Sequence, residues 1–172
     1  MAKTDSFFIR AQVEYDDAGT FAQSEIDLGS FVNLGISKST LLRIHRIQPQ
    51  YFDSEGVFIP RATGVNKMAN VAWQLTTQSQ TAIQPALDKS VIAAGGLESS
   101  TDANSVVQHT TAAGSPNVDV WTNGYLVGVD SLFLGIDGNT EWSSSFTINL
   151  VIECTLENAT QASSVALALS QQ

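Results

Sequence analysis

The stretch SFTINLVIECTLE, residues 145–157, decides the fold. Phe146, Ile148, Leu150, Ile152, Cys154 and Leu156 occupy one parity; Thr147, Asn149, Val151, Glu153, Thr155 and Glu157 occupy the other. Successive side chains of an extended chain point to opposite faces, so this two-residue period gives a strand with one apolar and one mostly polar side. On a helix, with its 3.6-residue repeat, the same apolar residues would spread around the whole cylinder. The run exceeds the usual strand length, which predicts a strand crossing a whole sheet.

Towards the N-terminus, residues 7–15 alternate in the same way, with Phe7, Ile9, Ala11, Val13 and Tyr15 against Phe8, Arg10, Gln12 and Glu14. Asp16-Asp17-Ala18-Gly19 reads as a turn, and residues 21–28 as its antiparallel return. After a loop at residues 29–39, residues 40–47 read as a strand that Pro49 closes, since proline cannot donate to a ladder. Its parity breaks after His45, which predicts a bulge. A short apolar run at Val57-Phe58-Ile59 follows, then clean alternation over residues 70–78, with Val71, Trp73 and Leu75 on one side. Residues 79–117 are rich in Ser, Thr, Ala and Gly, with a strand expected only around residues 90–94. So long a loop is rarely structureless, so part of it must be ordered or held by a partner. Residues 118–121 read as a short strand before Asn123-Gly124, a favoured hairpin pair. Residues 125–136 form one long apolar run, and Asp137-Gly138-Asn139 turns the chain into the opening stretch. In the tail, residues 158–172, Val165, Leu167 and Leu169 alternate with Ala166 and Ala168, which points to a strand although alanine also favours helix. The sum is an all-β, antiparallel β-sandwich, a jelly roll of about eight strands rather than a smaller immunoglobulin-like domain. Residues 1–172 form one domain, with a long polar insertion at 79–117 and a C-terminal tail at 158–172.

Composition narrows the function. Of the 172 residues, 43% are hydrophobic and only 15% charged, which suits a surface that meets protein more than water. The net charge is −9 and uneven: residues 1–89 hold all eight Lys and Arg with nine acids, whereas residues 90–172 hold eight acids and no Lys or Arg. Strong direct nucleic-acid binding and docking on an anionic membrane are both disfavoured by this balance. Cys154, on the apolar parity, reads as a small buried hydrophobe. No charged-then-apolar leader and no run of about 18 apolar residues is present, so the expectation is no signal peptide, no transmembrane segment and synthesis in the cytoplasm.

No catalytic signature surrounds His45 or His109, and no nucleophile elbow, phosphate loop or zinc motif occurs, so no enzyme activity and no cofactor are expected. Asp137, Asn139 and Glu141 have the alternate oxygen spacing of calcium loops, yet too few carboxylates accompany them, and a turn satisfying its own amides is the favoured reading. Trp73 belongs to the core parity, whereas Trp121 and Trp142 adjoin turns, where an exposed ring would suit a sugar. Arg43, Arg46 and Arg61 form the only cationic group with a functional reading. A basic patch in the first half would dock on the acidic second half of another copy, head to tail.

By its early strand near Phe7, its Ser/Thr/Ala-rich insertion at 79–117 and its closing strand at 146–156 with a Gln-ended tail, the chain resembles single jelly-roll capsid proteins of icosahedral viruses. The resemblance implies a structural, self-assembling coat subunit located in the virion. Its partners would be other copies and other capsid proteins. The charge split and the uncharged tail, which should be ordered against its own sheet edge or a neighbouring subunit, make Arg43, Arg46, Arg61, Val165, Leu167 and Leu169 the candidate interface residues. One departure is the absence of a basic N-terminal arm, since residues 1–5 carry only Lys3. That looks like the group of such viruses in which an internal membrane or lining protein lies beneath the shell. The alternative is a carbohydrate- or receptor-binding β-sandwich, such as a spike or fibre head.

Overall fold

The computed structural model describes residues 5–16, 19–33, 38–53, 60–112 and 121–171. Among these residues nine strands and one helix follow in order: β1 Phe7–Tyr15, β2 Ala22–Asp27, β3 Lys38–Asp53, β4 Met68–Thr76, β5 Val91–Thr101, β6 Val107–Ala112, β7 Tyr125–Val127, β8 Ser131–Gly138, β9 Phe146–Thr160 and α1 Gln161–Ser170. One sheet has the order β1-β9-β3-β7 and the other β2-β8-β4-β5-β6. The antiparallel pairs β1·β9, β2·β8, β3·β7 and β4·β5 are nested, early strands with late ones, and alternate between the sheets. A long antiparallel ribbon rolled onto itself in this manner is a jelly roll, with β6 added beside β5.

The opening stretch lies where its alternation places it. β9 pairs with β1 on one side and β3 on the other, and Phe146, Ile148, Leu150, Ile152 and Cys154 are all buried. Val71, Trp73 and Leu75 of β4 and Leu132, Leu134 and Ile136 of β8 meet them from the opposite sheet. A polar link crosses this core: Trp73 Nε1 donates to the Tyr51 hydroxyl at 3.1 Å. Burial pushes the Tyr51 pKa up to about 12, against the opposing effect of that hydrogen bond. Cys154 is fully buried, and burial, with the nearby Glu153 charge, raises its thiol to about 12. The bulge is present: Ile44 pairs with Cys154 and Arg46 with Glu153, leaving His45 extra, with its Nε2 2.8 Å from Thr155 Oγ1.

Several expectations are corrected. β2 is no hairpin return onto β1; it lies in the other sheet, against β8. Alternation shows that a strand exists but carries no record of its partner. β3 does not stop at Pro49 but runs on to Asp53. Its pairing with β7 covers only Leu42, Arg43 and Ile44, so Pro49 lies on a stretch with one described neighbour, β9, where proline is tolerated. The apolar run at 125–136 is two strands in different sheets, broken at Gly128-Val129-Asp130, and apolar throughout because β8 is largely buried. Much of the polar segment 79–117 is ordered as the β5–β6 hairpin, far beyond the short strand expected there. The tail is not a strand: β9 continues to Thr160, and α1 follows, its first turn capped by the Thr160 hydroxyl accepting from Ser163 N at 3.3 Å. Val57-Phe58-Ile59, Asp17 and most of the strand expected at 118–121 fall outside the described residues.

Candidate assembly surfaces

The helix α1 closes one end of the sandwich. Near its start the Ser164 hydroxyl donates to Ser39 Oγ at 2.9 Å, and both residues are fully buried against β3. Past its end, the Gln171 backbone oxygen accepts from the Thr77 hydroxyl at 2.6 Å, beside β4. The helix therefore spans from one sheet to the other. The Gln171 side chain fixes it further: Nε2 donates to the Leu126 carbonyl at 2.7 Å and to the Tyr125 hydroxyl at 3.2 Å, while Oε1 accepts from Gly128 N at 2.9 Å. Tyr125 is thereby buried enough to raise its pKa, with the Gln171 bond opposing the rise. Leu167 packs against Gly128, where a Cβ would lie 3.0 Å from the leucine side chain. Val165 and Leu169, one turn apart, point outward at 47% and 66% exposure. So the three tail residues singled out in the sequence divide: Leu167 packs inward, and Val165 and Leu169 face solvent.

The three arginines are not brought together. Arg43, on the outward parity of β3, is paired within the chain, its NH2 donating to Glu157 Oε2 at 2.8 Å and its NH1 to the Asn123 carbonyl. The hydrogen bond to Glu157 raises the Arg43 pKa, against a smaller lowering by burial. Asn123 is presented by a turn in which Gly124 adopts φ +69 and donates to Trp121 O. Arg46 is exposed beside Glu153, across the bulge. Arg61 lies at the opposite end of β9, where its carbonyl accepts from Ser143 N.

At Arg61's end of the sandwich a second apolar group is exposed. Val65, Met68 and Val106 are 50%, 57% and 54% accessible, and hydrogen bonds from Asn66 N to Asp102 O and from Asp102 N to Val106 O connect the segments that carry them. Leu87, in the β4–β5 connection, is 96% exposed. That connection folds over the outer face of the second sheet, held by Gln74, whose amide donates to Ala82 O and accepts from Gln84 N. Between it and the sheet runs a groove of about 570 Å³, floored by Ala72, Ala94 and Gly96 and carrying the carboxylates of Glu98 and Asp137.

The other sequence candidates have structural roles. Asp137 accepts from Gly138 N, Asn139 spans Asn70 N and Met68 O, and Glu141 pairs with Lys67 at 3.0 Å. Those oxygens satisfy a turn, and no group of three or more metal-ligating side chains gathers among the described residues. Trp142, expected at an exposed turn, is buried: its ring meets Phe146 edge-on and its Nε1 donates to Asn70 O. Trp121 is half-buried against Tyr125. Among the described residues no helix is long and apolar enough to cross a membrane.

No protein-family model matches the chain, and no curated protein is similar to it in sequence. Among solved structures, the chain is similar to VP1 of Trichodysplasia spinulosa-associated polyomavirus, a structure in complex with sialylated precision glycooligomers. The similarity covers 88% of this chain and 95% of that one, at 9% identity and a TM-score of 0.42. The jelly-roll assignment rests on the strand pairings themselves.

Proposed function

We propose that the chain is a structural subunit that assembles with copies of itself into a shell, as a coat protein of a virion does. The observation that carries this reading is the exposure of large apolar side chains at both ends of the sandwich. Val65, Met68 and Val106 lie at one end, and Val165 and Leu169 at the end closed by the helix. Large apolar side chains left exposed on a jelly roll with only 15% charged residues favour burial against protein. Two such surfaces on opposite ends make contacts that propagate beyond a dimer. With a net charge of −9, the subunit is unsuited to neutralising a packaged genome. A lining protein or bilayer beneath the shell, and other capsid proteins within it, are the partners this implies.

Sedimentation velocity and negative-stain electron microscopy of the purified protein test the reading. Rings, capsomers or closed shells support it. A monomer at all concentrations overturns it, and a compact trimer that binds glycans would favour the spike-head alternative.

A further inference from the structure

The groove on the second sheet has an unbalanced charge. Asp137 lies on β8 and Glu98 on β5, with β4 between them. Two strand spacings and a two-residue offset separate their backbones by about 12 Å. Asp137 accepts one bond from its neighbour's backbone, and Glu98 has no partner within the chain among the described residues. Among the described residues no Lys or Arg lines the groove. Residues 90–172 contain no Lys or Arg.

A matching surface exists on the other side of the molecule. Arg10 lies on the outward parity of β1, exposed, with no side-chain partner among the described residues. It borders a depression on the outer face of the first sheet, about 460 Å³ in volume, bounded by the amides of Gln12, Gln50 and Asn149. The acidic groove is bounded by the amides of Asn70, Gln84 and Asn139. Packed sheets lie about 10 Å apart and the two surfaces face away from each other, so one chain cannot join its own Arg10 to its own groove.

We infer that the groove receives the outer face of the first sheet of a second copy, with Arg10 of that copy placed between Glu98 and Asp137. This rests on the shell reading and adds to it the lateral contact. The contact is head-to-tail, since the two surfaces differ, and it therefore builds rings or chains and not closed dimers. The small floor of Ala72, Ala94 and Gly96 leaves room for the projecting Arg10 side chain to enter beside the β4–β5 connection. The charges set register and partner choice.

Charge reversal and charge exchange test it on the full chain. Arg10→Glu and Glu98→Arg, each at an exposed position, should leave the melting temperature of the unassembled protein unchanged. Each should weaken association at low salt by about five-fold or more, the upper range for an exposed ion pair. The double variant Arg10→Glu/Glu98→Arg should recover most of the loss. Reversals that assemble as the wild type does, or singles that are not rescued by the exchange, overturn the inference while the shell reading stands. A wild-type chain that never assembles overturns both. Spermidine is the control for a small cation: if it stabilises the wild type but not Glu98→Gln/Asp137→Asn, with assembly unaffected by Arg10→Glu, the groove takes a free polyamine instead and the inference fails.

Discussion

Gln171 Oε1 accepts from the backbone N–H of Gly128 at 2.9 Å, forty-three residues earlier in the chain. The donor is buried, and the same side chain satisfies the Leu126 carbonyl, so one residue past the helix saturates the backbone where β7 ends. Removing it leaves a buried N–H without a partner, which costs about 1–3 kcal/mol. For a chain of this size each kcal/mol lowers the melting temperature by about 2–4 °C. Gln171→Ala should therefore melt several degrees lower and expose the Ala- and Val-containing helix to elastase. Gln171→Glu keeps an acceptor for Gly128 but sets a carboxylate against the Leu126 carbonyl, and it should be no better than alanine.

Trp73 occupies the space that a Cβ at residue 95 would take. An added methyl there would lie 2.9 Å from Cε2, Cζ2 and Nε1 of the indole, which is itself buried. The ring also donates to Tyr51 in the facing sheet, so it cannot move without losing that bond. Gly95→Ala should destabilise by about 1–3 kcal/mol, the usual cost of overpacking, measured by urea denaturation with an unchanged m-value. Gly95→Ala combined with Trp73→Phe should recover part of that loss, because the smaller ring frees the space.

How much of this was legible follows the range of each interaction. β1 and β9 were readable because local alternation is set by the two faces of one strand, and the His45 bulge was readable because an extra residue breaks that parity. The partner of β2, by contrast, lies more than a hundred residues away at Phe133 and its neighbours. Pro49 looked like a terminator because the sequence does not tell an edge from a centre. In the tail, alternating Ala and Leu or Val fits both periods, and only the cap at Thr160 and the latch at Gln171 select the helix. Trp142 sits beside a turn yet is buried, since the chain returns across it through the bridge between Ala62 and Trp142. Arg43 read as an intersubunit cation because its carboxylate, Glu157, is remote in sequence and adjacent only across the ladder. The groove had no sequence signal at all, since Glu98 and Asp137 meet only through the register of β5, β4 and β8.

Alkaline pH should destabilise the fold through two buried acids. The folded-state pKa is raised from 9.0 to about 12 for Cys154 and from 10.0 to about 12 for Tyr51. Both groups are neutral below their unfolded values, so the full stability is present below about pH 9. As pH rises from there towards 12, the unfolded chain ionises first and stability falls. Each proton contributes a slope of at most about 1.4 kcal/mol per pH unit. Denaturant midpoints measured from pH 8 to 11 should decline, and Cys154→Ala and Tyr51→Phe should each make the decline shallower. At pH 8 the folded thiol should react negligibly with an aromatic disulfide reagent, its thiolate fraction being about one in ten thousand. A pH-independent midpoint, or rapid labelling of folded protein, would contradict this assignment.

The outward pair on the terminal helix separates folding from assembly. Val165 and Leu169 are largely exposed, whereas Leu167 packs on Gly128 and Ser164 on Ser39. Serine at 165 and 169 removes apolar surface from the outer face and leaves the inner contacts and the Gln171 bonds in place. Since surface changes away from such features usually stay within about 0.5 kcal/mol each, the monomer should melt close to wild type. If this face meets another subunit, the loss of two buried aliphatic side chains per contact should weaken assembly by about 3 kcal/mol or more, roughly a hundred-fold. Leu167→Ser provides the contrast: it strips the inner face, so it should lower the melting temperature first and affect assembly only through unfolding. Sedimentation velocity on the two variants, read beside their thermal melts, distinguishes the cases. Wild-type assembly by Val165→Ser/Leu169→Ser would show that this end of the sandwich stays solvent-exposed on association and would turn attention to the other exposed apolar side chains, Val65, Met68, Leu87 and Val106 among them.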